Sequence, residues 1–120
     1  MRVEQRTDME QISEWFPSLE GITSAEWEIE YDDEGKSGLP SPSGYAVRGY
    51  ITISEDIAQN YHASYDWSIS TPHVGFRLIS EERLGESQWL YNWEFEREIK
   101  GTFIGHIWFS KNTILFDGGK

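Results

Sequence analysis

The chain has 120 residues and no cysteine, which excludes disulfides, zinc–thiolate sites, iron–sulfur sites and a thiol nucleophile. Aromatic residues make up 15% of it, enough bulk for a packed core rather than a disordered tail. The formal net charge of -11 sets up a field that repels nucleic-acid phosphates and anionic lipid and attracts basic proteins.

The charge is uneven: residues 1–40 hold 11 acidic and 3 basic side chains, residues 41–120 hold 10 and 7. The opening residues, Met1 to Arg6, are too polar for a signal peptide. No apolar run approaches the roughly 20 residues of a membrane span. A soluble, cytoplasmic protein of one domain over residues 1–120 is therefore expected.

Thr7 to Phe16 reads as a short helix, with Met9, Ile12 and Phe16 on one side, Thr7 as N-cap, Glu10 as its capping-box partner and Pro17 as the stop. Ala25 to Asp32 alternates strictly and predicts a strand. Trp27, Ile29 and Tyr31 share one face; Glu26, Glu28, Glu30 and Asp32 form a carboxylate row on the other, which continues into the acidic turn Asp32-Asp33-Glu34. Residues 35–44 form a Gly/Pro/Ser loop. Tyr45–Ser54 is a strand with Tyr45, Val47, Gly49, Ile51 and Ile53 aligned. Alternation predicts further strands over Tyr61–Ile69 and His73–Ser80. Gln88–Ile99, with the stripe Trp89, Tyr91, Trp93 and Phe95, reads as the first strand of a C-terminal antiparallel meander. Turns at Lys100-Gly101 and Lys111-Asn112 lead to strands Thr102–Ser110 and Thr113–Phe116.

The middle of the chain shows an ordered set of elements. Gly21 is followed by Ala25-Glu26-Trp27, acidic Tyr31-Asp32-Asp33, a Gly/Pro loop, Tyr45-Ala46-Val47-Arg48-Gly49, Ala63-Ser64-Tyr65, and His73-Val74-Gly75-Phe76-Arg77-Leu78. Over about residues 18–80 this order resembles the C-terminal part of the formylglycine-generating-enzyme (sulfatase-modifying factor) domain, a variant of the C-type lectin fold. The departures are as informative. The family's catalytic cysteines are missing, Ile22 stands where its calcium-associated Asn is expected, and Tyr50-Ile51-Thr52 replaces its Gly-Ser-Trp. The resemblance therefore implies a truncated, non-catalytic relative, to which neither oxidase activity nor the calcium site carries over.

Catalytic signals are weak. His62, His73 and His106 have no ligand spacing, and no Gly-x-Ser-x-Gly elbow occurs. His62 and Asp66 would share a strand face as an imidazole–carboxylate pair, but a solvated face is the plainer reading. Glu94, Glu96 and Glu98 would form a second one-sided carboxylate row. Alternate carboxylates on a strand lie about 7 Å apart at about 3.3 Å per residue, too far for one compact metal site. The aromatic stripe reads as core. Leu90, Ile104 and Trp108 fall on the opposite phase and would form an apolar patch bordered by acids, a protein-binding surface.

The expected fold is α+β and predominantly antiparallel β. It has about seven strands and one short N-terminal helix, with a partial formylglycine-enzyme-like core and a C-terminal three-strand meander. The expected function is that of a small acidic, non-catalytic binding protein inhibiting a basic partner, such as a nuclease. It would act as an immunity protein, an antitoxin, or a phage anti-restriction or anti-CRISPR inhibitor, without touching nucleic acid or membrane and without cofactor or metal. The expected contacts are Glu26, Glu28, Glu30, Asp32, Asp33 and Glu34, then Glu94, Glu96 and Glu98. The alternative is a lectin-like module holding a sugar or small ligand among Trp and Tyr residues, Trp67 and Trp93 foremost. The oligomeric state stays open.

Overall fold

A computed structural model describes residues 2–31, 44–101 and 103–119. In chain order these form β1 (Arg2–Arg6), α1 (Glu10–Trp15), β2 (Ile22–Tyr31), β3 (Tyr45–Ile53), α2 (Glu55–Ser64), β4 (Ser68–Ile69), α3 (Glu82–Glu86), β5 (Leu90–Tyr91), α4 (Trp93–Lys100), β6 (Gly105–Ser110) and β7 (Thr113–Gly119). The strands make one antiparallel sheet of order β1-β2-β3-β7-β6-β5-β4. The expected α+β, mainly antiparallel fold is present, with three more short helices than the sequence signalled.

Register explains the two faces. Trp27, Gly49, Phe116 and Ile107 lie in one row across β2, β3, β7 and β6, and Ala25, Ile51, Ile114 and Phe109 in the next. This face is buried under Ile12 and Phe16 from α1, Ala58 from α2, and Phe95 and Ile99 from α4. Gly49 is required here, because a Cβ would sit 2.4 Å from Trp27 Cβ. The opposite face carries Tyr50 and Leu115. They pack with Val74, Phe76, Ile79 and Trp89, residues of a chiefly irregular stretch that straps the sheet.

Several expected elements take another form. The helix near Thr7 exists, but it begins after Met9 and no side chain caps it. Residues 61–69 are not one strand: the chain is helical through Ser64, and only Ser68 and Ile69 join the sheet. The helix places Ile57, Ala58 and Tyr61 against the core, an advantage a strand there would lose. Residues 73–80 make no strand, because they cross over the sheet instead of extending it. The stripe from Gln88 to Ile99 splits. Leu90–Tyr91 pairs in the sheet, then Asn92 accepts the Phe95 N–H at 2.9 Å and starts α4. Of the meander, β6 and β7 form as expected around the Lys111 turn, with Lys111 at φ 54, and β7 runs on to Gly119. The expected loop at 35–44 lies, Gly44 apart, outside the described residues.

Candidate functional site

The acidic face of β2 does not face water. Glu28 is fully buried. Its carboxylate accepts Arg48 Nη2 at 2.7 Å and Nε at 3.0 Å, the Leu78 and Ile79 backbone N–H groups at 3.0 Å each, and the Arg77 N–H at 3.0 Å. Three consecutive backbone donors and two donors of one guanidinium, both to Oε2, thus surround one carboxylate, an arrangement that compensates a buried charge. Burial pushes the Glu28 carboxyl up, but the hydrogen bonds from Ile79, Leu78, Arg77 and Arg48 prevail and hold it below its ordinary value. Glu30 accepts Arg48 Nη2 at 3.1 Å and Arg77 Nε, and its carboxyl is held low chiefly by Arg48. Arg48 faces Asp117 on β7, and Asp117 in turn faces His106 on β6. Burial raises the Asp117 carboxyl against the opposing pull of Arg48 and His106.

Glu28 is therefore corrected from a partner contact to an internal anchor, and Glu30 serves mainly to tie Arg48 and Arg77. Glu26 is half-buried, and Gln5 Nε2 donates to it at 3.4 Å. Asp32, Asp33 and Glu34 lie outside the described residues.

The second expected row is dispersed by the helix. Successive residues on α4 point about 100° apart, so alternate positions do not share a face. Glu96 turns inward. It is buried and accepts the Ile107 N–H at 3.1 Å and the Tyr91 hydroxyl at 3.2 Å, with His106 Nδ1 at 3.4 Å. It thereby satisfies a backbone donor on β6 beyond the reach of two-residue β5, and is corrected from contact to structural role. Glu94 and Glu98 stay exposed, Glu98 accepting the Tyr65 hydroxyl. The Tyr65 hydroxyl is pushed up to about 12, by burial first and then by Glu98.

The aromatic stripe divides in the same way. Trp89 and Phe95 are buried in different cores, while Trp93 is 58% exposed with Arg97 over its ring at 5.0 Å. Trp67 packs edge-on to Phe95 within the core. Of the expected apolar patch only Ile104 stands well exposed; Trp108 packs on the second core and donates to Ser70 Oγ at 3.3 Å.

His62 and Asp66 form no dyad. His62 lies on α2 with Nε2 2.8 Å from the Lys111 carbonyl, and Asp66 follows the helix, its carbonyl accepting Asn92 Nδ2. A shallow cleft of about 350 Å³ beside His62 is lined by Glu55, Gln59, Lys111 and Asn112 as well. Among the described residues, no group of three or more His, Asp or Glu side chains is placed to hold a metal ion. Among the described residues, no helix is long and apolar enough to cross a membrane.

Glu4, Glu20, Asp66, Glu81, Glu82 and Glu86 are exposed too, but six exposed carboxylates lie on the three helices that cover the larger core: Glu10 and Glu14 on α1, Glu55 and Asp56 on α2, Glu94 and Glu98 on α4. None of these six makes an ion pair with a Lys, Arg or His among the described residues. The only Lys or Arg on these helices are Arg97 and Lys100 on α4. Two of these helices meet directly, Tyr61 of α2 packing edge-on to Phe95 of α4; the segment after α1 joins them, the Glu20 N–H donating to the Tyr61 hydroxyl and Pro17 lying against Gly101 at the end of α4. Glu94 and Glu98 belong to the second expected row; nothing in the sequence pattern singled out Glu10, Glu14, Glu55 and Asp56, for which the signal was net charge alone. No family model matches the chain, and neither a curated protein nor a solved structure matches it.

Proposed function

We propose that the protein is an acidic binding protein that inhibits a basic partner, such as a nuclease or other nucleic-acid-binding protein, as an immunity protein, antitoxin or phage anti-defence inhibitor does. One observation carries this reading: the helical layer exposes Glu10, Glu14, Glu55, Asp56, Glu94 and Glu98 without a single ion pair between them and the described basic residues. Unpaired exposed carboxylates repel one another modestly and steer a cationic surface at long range. Exposed Trp93, beside Glu94, supplies the aromatic anchor that such charged interfaces need for affinity.

The test is co-purification of a basic partner from the native host or its competitor, followed by titration of the complex at low and high salt. Affinity is expected to fall steeply with salt, and to fall at least tenfold in Glu94→Lys/Glu98→Lys and in Trp93→Ala. Salt-independent binding untouched by the charge reversals sinks the proposal. A sugar- or small-ligand-binding module would keep its ligand through those reversals and lose it with Trp93→Ala.

A further inference from the structure

The sheet has two edges of different character. At one end β4 is two residues long, and Ser70 beside it is tied by its N–H to the Trp89 carbonyl at 2.9 Å. At the other end β1 runs five residues, paired along its length with β2 and, among the described residues, with no other strand. Such an edge is a template for another strand, and its charges decide which one it accepts.

Arg2, Glu4 and Arg6 share the face of β1 opposite Tyr31, Ile29 and Trp27, so cation and anion alternate at every second residue. About a two-fold axis, an antiparallel β1–β1 pair centred on Glu4 would set Arg2 against Arg6 and Glu4 against Glu4. Like charges directly opposite are destabilising. Moving the axis to Val3 sets Arg2 against Glu4 on both sides, with valine facing valine at the centre. An axis at Gln5 would instead draw on Arg6. That side chain is committed within its own chain: its Nε donates to Asp8 at 2.9 Å and its guanidinium lies over Trp27 at 5.0 Å. Arg2 also lies over a ring, Tyr31 at 4.4 Å, but its ion pair is looser: Arg2 and Glu4 are 3.8 Å apart, with side chains 61% and 45% exposed, against 41% for Arg6.

We infer that β1 is a self-association surface: two copies pair β1 to β1, antiparallel, with the axis at Val3 and two Arg2–Glu4 pairs across it. Alternation then acts as a register code, since moving the axis by one residue, a register slip of two, sets like charges opposite each other. The contact is isologous and small, so the dimer is weak and concentration-dependent.

Sedimentation equilibrium at sub-millimolar protein tests this in about 0.15 M salt. There a screening length of about 8 Å mutes the repulsion between two acidic molecules but not contacts across one strand pair. The wild-type mass is expected to rise from 14.0 kDa toward twice that value. Glu4→Lys and Arg2→Glu are each expected to stay monomeric, and their equimolar mixture to associate again, which a misfolded variant would not do. Arg6→Glu keeps the dimer, and Val3→Cys forms an oxidised cross-link in good yield. A wild-type mass that stays at 14.0 kDa overturns the inference. So does a mixture that does not recover, or sensitivity to Arg6→Glu in place of Arg2→Glu.

Discussion

The two faces of the sheet are covered by different physics. Over Trp27, Ile51 and Phe116 lie three helices held by apolar and aromatic packing: Phe95 meets Tyr61, Tyr65, Trp67 and Phe109 with ring centres 4.9–5.9 Å apart. Over Tyr50 and Leu115 lies a chain segment with little regular structure, whose apolar cluster is smaller and whose backbone is tied down at Arg77, Leu78 and Ile79 by one carboxylate. Helices satisfy most of their own backbone groups, so burial alone can hold them. An irregular strap cannot do so, and its N–H groups need a partner in the sheet. A buried acid is the sheet's answer on the side where its cover, the short α3 apart, is irregular.

The largest test of this contrast pairs Glu28→Ala with Phe95→Ala. Removing Glu28 strands a buried Arg48 and three backbone donors, at a cost of about 3–5 kcal/mol. Phe95→Ala is expected to cost about the same, through a cavity. Urea denaturation gives both losses, and hydrogen exchange separates them. Glu28→Ala should free the amides of residues 77–79 well before the rest, whereas Phe95→Ala should lower protection across the larger core. Equal protection profiles in the two variants would show that the strap has no separate anchor.

Gly49→Ala comes next. A Cβ driven toward Trp27 is expected to cost about 1–3 kcal/mol, read as a lower thermal midpoint. Acid then probes the strap alone. Glu28 and Glu30 are held below their ordinary carboxylate value of 4.5, so their contribution is complete above that pH and is lost as pH falls through their folded-state values. Asp117, raised by burial, works in the opposite sense and gains stability on protonation. Stability followed from pH 6 downward should fall, and Asp117→Asn should steepen that fall by removing the compensating gain. Smallest in stability is the helical surface: Glu94→Lys/Glu98→Lys should shift unfolding by no more than about 0.5 kcal/mol, while weakening the proposed partner's binding at least tenfold.

Much of the sheet was legible from sequence because strict alternation has one good solution when one face is fully apolar. In Trp27-x-Ile29-x-Tyr31 and Val47-x-Gly49-x-Ile51-x-Ile53 a slip by one residue would turn the apolar set out of the core. The first helix and the Lys111 turn were legible for equally local reasons. The helices α2 and α4 were not read, although signals stood there: Ser54 before Glu55-Asp56, and Asn92 before a helix-length run ending in Lys100-Gly101. Tyr61, Tyr65, Trp89 and Trp93 alternate well enough to mimic strands, and aromatic residues fit either period.

The sequence by itself determined that the chain is acidic, rich in large apolar side chains, and built around alternating β2 and β3, because composition and local periodicity do not depend on what packs against them. Only the tertiary structure decided which carboxylates are available. Glu28 and Glu94 look alike in a run of alternating residues. One meets Arg48 and the N–H groups of residues 77–79, some 50 positions along the chain, and the other meets water. A side chain's partners are set by what the fold lays over it, and local sequence carries no record of that.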